Sequence, residues 1–237
     1  MGKLRHFRLK LAVLLALLAT VLSASLATPD IASPEQIKLG ERLFREPDFS
    51  TPRGDLPASC ASCHLFDEDP QGQRAFTDFF NRSWISYREQ SPQRFELRNS
   101  PTLLDLDGRH SYHFDGEFSS LEALVRGTFT GRPMGWLPGE TSTALALTHK
   151  VLLQKPGYLN QFRAAFDADI STLSDDQAMD LVARAIAAFL RTLKSPMNSP
   201  YDKFIRANGF EAKPATGESP NDFGRRLLDS IARKEND

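Results

Sequence analysis

The two cysteines of this 237-residue chain stand three apart, in Cys60-Ala61-Ser62-Cys63, and a histidine, His64, follows directly. No other stretch limits the fold as sharply. In a C-x-x-C-H run the thiols lie about one helical turn apart, so both sulfurs reach the two vinyl groups along one edge of a haem. The adjacent imidazole then meets the iron as its proximal ligand. Three other chemistries compete for the pattern. A thioredoxin-like redox pair belongs in a βαβ setting, which is absent; a zinc site needs more Cys and His ligands than cluster here; and five residues can coincide by chance. Covalent haem c, one per chain, is the expectation, with Cys60 and Cys63 as thioether residues and His64 on the iron.

The N-terminus supports that chemistry through its compartment. A basic stretch, MGKLRHFRLK, runs into an apolar run from Leu11 to Leu22 and then into small residues. This is the layout of a secretory signal peptide, and the run is short of the roughly 20 apolar residues a bilayer crossing needs. Residues 1–27 are therefore expected to direct export to the periplasm, with cleavage near Ala27; an uncleaved anchor is the alternative. Those residues hold four Lys/Arg and no acid, so the net charge of −1 becomes −5 without them. A mildly acidic chain has no electrostatic basis for binding nucleic acid, and suits a basic protein partner better. An exported chain with a single cysteine pair, packed into C-x-x-C spacing, commits the pair to chemistry rather than to stapling.

Helix signals dominate the remainder. In SPEQIKLGERLF, Ser33 and Gln36 form a capping box, Pro34 suits the first turn, and Ile37, Leu43 and Phe44 face inward. Ser119 with Glu122 boxes the start of SLEALVRGTF, and ETSTALALTHKVLLQ and PGYLNQFRAAF follow. The strongest pattern is SDDQAMDLVARAIAAFLRTL, with a Ser174/Gln177 box and an apolar stripe of Val182, Ile186, Phe189, Leu190 and Leu193. From His64 to Ser100 neither helix nor strand periodicity holds, and the segment reads as a long loop wrapping the haem. Nothing alternates as a strand, so the class is all-α: a cytochrome-c-like haem domain with long loops and additional helices. A weak internal repeat echoes SPEQIKLGERLF in SPNDFGRRLL from residue 219, setting Gly40 against Gly224.

The ordered set LGERLF, SCASCH, AFTD, RNSPTLL, FDGEFSSLEALV and AIAAFLRTLKSPMNSPYDKF resembles the N-terminal haem domain of the bacterial di-haem cytochrome c peroxidase family, which includes the methylamine-dehydrogenase maturation enzymes. The resemblance runs over roughly residues 33–230. It implies two cytochrome-c-like domains, the first haem reducing peroxide and the second relaying electrons to it. On this basis residues 28–210 form the haem domain and 211–237 resemble the opening helix of a second. The implied activity is electron transfer and hydrogen peroxide reduction; the alternative is a non-enzymatic mono-haem cytochrome, or a half that works with a separate chain carrying the second haem. A small redox protein such as a c-type cytochrome is the implied partner.

Several family positions differ here. The resemblance places a distal histidine near Ser91, yet no histidine lies between residues 65 and 109. The family's distal glutamine and glutamate fall on Leu124 and Met134, and its inter-haem tryptophan on Phe114. Leucine and methionine cannot move a proton or stabilise a leaving hydroxide, so peroxide cleavage loses its polar groups. Met134 has two readings: a sixth iron ligand, which raises the haem potential, or a flexible apolar filler of the pocket. Arg98 is either a fork for a haem propionate or a solvated loop arginine. Asn99 matches a residue whose backbone helps hold an inter-domain calcium ion, but the ligands from a second domain are not in this sequence, which puts calcium in doubt. His110, His113 and His149 read as surface or packing residues, with His113 also a candidate for the haem edge or iron; Met179 and Met197 are weaker ligand candidates. Phe66, Phe76, Phe114 and Phe118 fit an apolar haem crevice or an ordinary core equally well.

Overall fold

The computed structural model describes residues 32–52, 58–68, 74–77 and 100–235, with the backbone alone at 65–68, 74–77 and 235. The expected signal peptide, Ser91, Arg98 and Asn99, and the side chains of Phe66 and Phe76, lie outside the described residues.

The first helix, α1, spans Pro34–Phe44 and starts where the sequence places it. Ser33 Oγ accepts from Gln36 N and Gln36 Oε1 accepts from Ser33 N, closing the box. The attachment helix α2 is the single turn Cys60–Cys63. Two strands follow, β1 (Leu65–Glu68) and β2 (Arg74–Thr77), paired antiparallel with Phe66 opposite Phe76. The loop expected from His64 to Ser100 thus contains a hairpin. Four-residue strands are too short to display alternation against a polar background, which is why periodicity missed them.

The remaining helices are α3 (Leu121–Phe129), α4 (Thr141–Gln154), α5 (Tyr158–Phe166), α6 (Asp175–Arg191), α7 (Pro200–Ala207) and α8 (Pro220–Glu235). The fold is all-α apart from the hairpin. The cap of α3 differs by one residue from the expected box: Ser120, not Ser119, accepts from Ala123 N. Glu122 is drawn away instead to Arg191 on α6, accepting at 2.8 and 3.2 Å. No helix among the described residues is long and apolar enough to cross a membrane.

The core is organised by α6, whose face from Ala178 to Leu190 is almost wholly buried. Each large side chain on it contributes about 1.5–3 kcal/mol by leaving water. Helix α1 crosses α6 at Gly40, where a Cβ would lie 1.9 Å from the Ala185 carbonyl oxygen and 2.9 Å from Phe189 Cβ. Only glycine lets the two backbones meet so closely. One turn on, Phe44 packs its ring 5.5 Å from that of Phe189. Helix α3 lies along α6, tied at one end by Glu122–Arg191 and at the other by Arg126, which pairs with Asp176 and, at 2.7 Å, with Asp180.

Beyond α1, the buried Glu46 carboxylate gathers donors from three directions: Tyr158 OH at 2.9 Å, Lys155 Nζ at 2.5 Å and Asp48 N at 3.2 Å. Arg42 stacks over the Tyr158 ring at 3.9 Å and donates to Gln161 Oε1 at 2.6 Å. This network fixes the C-terminal end of α1 against α4 and α5, so the chain leaves α1 toward the attachment turn from a rigid point.

Candidate haem site

Within α2 the sequence closes a full turn on itself. Ser59 N donates to Ser62 Oγ at 3.0 Å, Ser62 N donates to Ser59 O, and His64 N donates to Cys60 O at 2.9 Å. Cys60, Cys63 and His64 consequently occupy i, i+3 and i+4, the spacing that shares one helix face. His64 leaves the helix with φ −102° and ψ 80°, which ends the turn at the imidazole.

Two hydrogen bonds strap this turn to the body of the protein. Ala58 N donates to Ser50 Oγ at 2.9 Å, and Thr51 N donates to Met134 O at 2.9 Å. Ser50, Thr51 and Ala58 are all buried. Below them Cys60 and Ala61 pack against the main core, and the His64 ring lies 6.4 Å from Phe44. The imidazole therefore sits near the α1–α6 crossing, where the two backbones meet at Gly40.

Both cysteines are thiols rather than a disulfide. Burial, and after it the neighbouring Cys63, push the Cys60 thiol up to about 12. A reactive redox pair has the opposite character, a thiolate stabilised near neutral pH. Two thiols and an imidazole on one face of one turn fit the donor set for a covalent haem, and zinc would require further ligands that no described residue brings to the turn.

The other expected residues separate clearly. Met134, 3% exposed, is buried in the core cluster at the end of the Arg132–Met134 turn, and Leu124 packs partly buried beside that cluster. His113 turns to solvent with Nδ1 3.2 Å from Glu117 Oε2 and its ring edge-on to Phe118. His110 is exposed. His149 is buried, its Nδ1 2.7 Å from Asp175 Oδ1 and its Nε2 2.8 Å from Ile170 O, both nitrogens being occupied by packing contacts. Met179 is fully buried on α6, and Met197 is exposed. Phe114 is 64% exposed, whereas Phe118 packs against the core and covers Gly127. The seat at Gly40 and the Ser50–Thr51 strap went unread in the sequence; LGERLF marked the glycine, but nothing local indicates what it faces.

Comparison with known proteins agrees with this layout. The family model described as di-haem cytochrome c peroxidase matches residues 34–209. The chain is 29% identical over 172 residues to the methylamine utilization protein MauG of Methylorubrum extorquens, covering 73% of this chain and 41% of that protein. It is 27% identical over 181 residues to the cytochrome c551 peroxidase of Nitrosomonas europaea, covering 76% and 46%. The chain thus spans less than half the length of these relatives. Among solved structures, the diheme peroxidase BthA of Burkholderia thailandensis superposes with a TM-score of 0.50 at 22% identity, over 73% of this chain and 42% of that one, and a point variant of it with 0.52. With the family model running from the first turn of α1 through the attachment turn and beyond α7, the chain belongs to the di-haem cytochrome c peroxidase family.

Proposed function

We propose that this chain is an exported c-type redox protein that holds one haem through Cys60 and Cys63, with His64 as proximal ligand, and passes single electrons to and from a small redox protein such as a c-type cytochrome. The observation that carries this reading is the placement of the two thiols and the imidazole on one face of a strapped helical turn. A haem held there supplies reversible one-electron chemistry at its iron. The chain's own contribution is to fix the imidazole near the α1–α6 crossing and keep the attachment turn from moving. Arg98 serves a propionate. Met134 is the residue proposed as a further ligand that a bound haem iron would take; an unchanged spectrum and potential in Met134→Ala would assign it to packing alone.

Expression of the full chain with haem-attachment machinery tests the reading. The expected results are a c-type pyridine haemochrome, a mass increase of one haem, and loss of the covalent haem in the Cys60→Ala/Cys63→Ala double variant. A purified protein with no haemochrome would overturn it. Hydrogen peroxide reduction is carried by family membership, while Leu124 and Met134 offer no proton transfer at the positions where the family implies it. Stopped-flow turnover with a reduced cytochrome c donor, compared with free haem, decides between peroxidase and electron carrier.

A second observation favours a working partner that carries another haem. The Ser-Pro start and glycine of α1 recur in α8, yet no described residue approaches Gly224 where Gly40 meets α6. Residues 211–237 are proposed as the first element of a second haem domain, on this chain or supplied with another. Co-purification with a second C-x-x-C-H chain, lost in a Gly224→Leu variant, is the expected outcome.

A further inference from the structure

We infer that the indole N–H of Trp136 donates a hydrogen bond to a propionate of the haem, an inference that rests on the haem reading above. Trp136 is 4% exposed, and its Nε1 has no hydrogen-bond partner among the described residues. An indole N–H is a donor only, fixed in direction by the ring, so it cannot rotate toward another acceptor. Left unmade, such a bond costs about 1–3 kcal/mol. The Thr148 hydroxyl is also buried and unbonded, but a helical threonine can turn its hydroxyl to a carbonyl one turn back and needs no ligand.

The base of the indole is held rigidly. Met134 N and Trp136 N both donate to Gly131 O at 3.1 Å, and Gly135 takes the left-handed conformation, φ 83°, between them. That turn is one hydrogen bond from Thr51, and Ser50 is one hydrogen bond from Ala58, two residues before Cys60. The indole and the haem-attachment turn are thus tied to the same two-residue strap. A haem bound at that turn carries an apolar periphery and two carboxylates. The carboxylates are the strong acceptors it brings to a buried donor.

A donor on a propionate offsets part of the negative charge that favours ferric iron. Spectroelectrochemistry of the haem-loaded full chain therefore reads the contact directly. Trp136→Phe keeps an aromatic ring and removes the N–H; at fixed poise the ferric-to-ferrous ratio is expected to rise about three- to tenfold, tenfold being 59 mV for one electron. In the unsubstituted ferrous protein labelled with 15N-indole, the Trp136 N–H is expected to exchange slowly with D2O and to shift as the propionate titrates. An unchanged ratio in Trp136→Phe, or an indole proton that exchanges at the solvent rate and ignores pH, would overturn the inference. If Trp136→Phe does not load haem, the indole measurement alone decides. Absence of a haemochrome in the unsubstituted chain would instead sink the haem reading, and this inference with it.

Discussion

Gly40→Ala and Gly224→Ala are chemically identical changes in repeated motifs, and the structure gives them opposite signs. At Gly40 the added methyl would lie 1.9 Å from the Ala185 carbonyl oxygen, whereas ordinary contact begins at 3.4 Å. The helices must part by roughly 1.5 Å along that line, opening gaps in a core whose dispersion contacts fade over less than that distance. Overpacking of this kind costs about 1–3 kcal/mol, and more where backbone is the obstacle. Alanine returns about 1 kcal/mol of helix propensity. The balance is a loss of about 2 kcal/mol, or about 1 M in urea midpoint at a slope near 2 kcal/mol/M. At Gly224 the methyl meets no described residue within 4 Å, so propensity sets the sign. A gain of about 0.5–1 kcal/mol follows. Urea titrations of the two variants followed by far-UV circular dichroism check both signs. A Gly40→Ala protein as stable as the parent, or two midpoints that move together, would refute the close crossing.

Tyr158→Phe leaves the buried Glu46 carboxylate without the donor 2.9 Å away and should cost about 1.5–3 kcal/mol in the same titration, the range for hydrogen bonds to charged groups. Burial of Glu122 opposes its ionisation, but the Arg191 hydrogen bond, a backbone hydrogen bond and the charges of Arg191 and Arg184 together outweigh it and hold the carboxyl below its ordinary 4.5. Its stabilising contribution is therefore complete above that value and is lost as pH falls through the depressed one. Glu122→Gln should flatten the acid limb of a stability-versus-pH curve, leaving an unaltered limb as the contrary result. In haem-free chain that retains its helical circular dichroism, Cys60, with its thiol near 12, should react with iodoacetamide roughly 30- to 100-fold more slowly at pH 8 than in urea, its smaller thiolate fraction being partly offset by the greater nucleophilicity of a more basic thiolate, as measured by timed quench and peptide mass spectrometry.

What the sequence made legible was chemistry that closes within one helical turn. The Ser33/Gln36 and Ser174/Gln177 boxes appear as expected because both partners lie three residues apart. The placement of Cys60, Cys63 and His64 along one turn could be read for the same reason. What the sequence left open has the opposite cause. Glu122 left its expected cap because its partner, Arg191, is 69 residues away. His149 is buried because acceptors 21 and 26 residues on meet both ring nitrogens, and no pattern around His149 foretells either. Phe114, which fits a crevice or a core by sequence, is exposed, and its neighbour in the motif, Phe118, packs against the core.

The candidate site joins both kinds of information, which bears on how its function should be perturbed. On the proposed reading, changing Cys60, Cys63 or His64 acts on the haem bonds themselves. Changing Gly40, Ser50 or Trp136 leaves every one of those bonds available and alters only the surface against which the haem would be held. Covalent attachment requires a brief encounter of thiol and vinyl; a defined potential requires that the imidazole and the haem edge stay where they are. Variants of the long-range set should accordingly retain covalent haem while spreading or shifting its potential, whereas variants of the local set should lose haem outright. That division follows from the strap: Ser50 and Thr51 hold the attachment turn to the Met134–Trp136 turn, but contribute no ligand of their own.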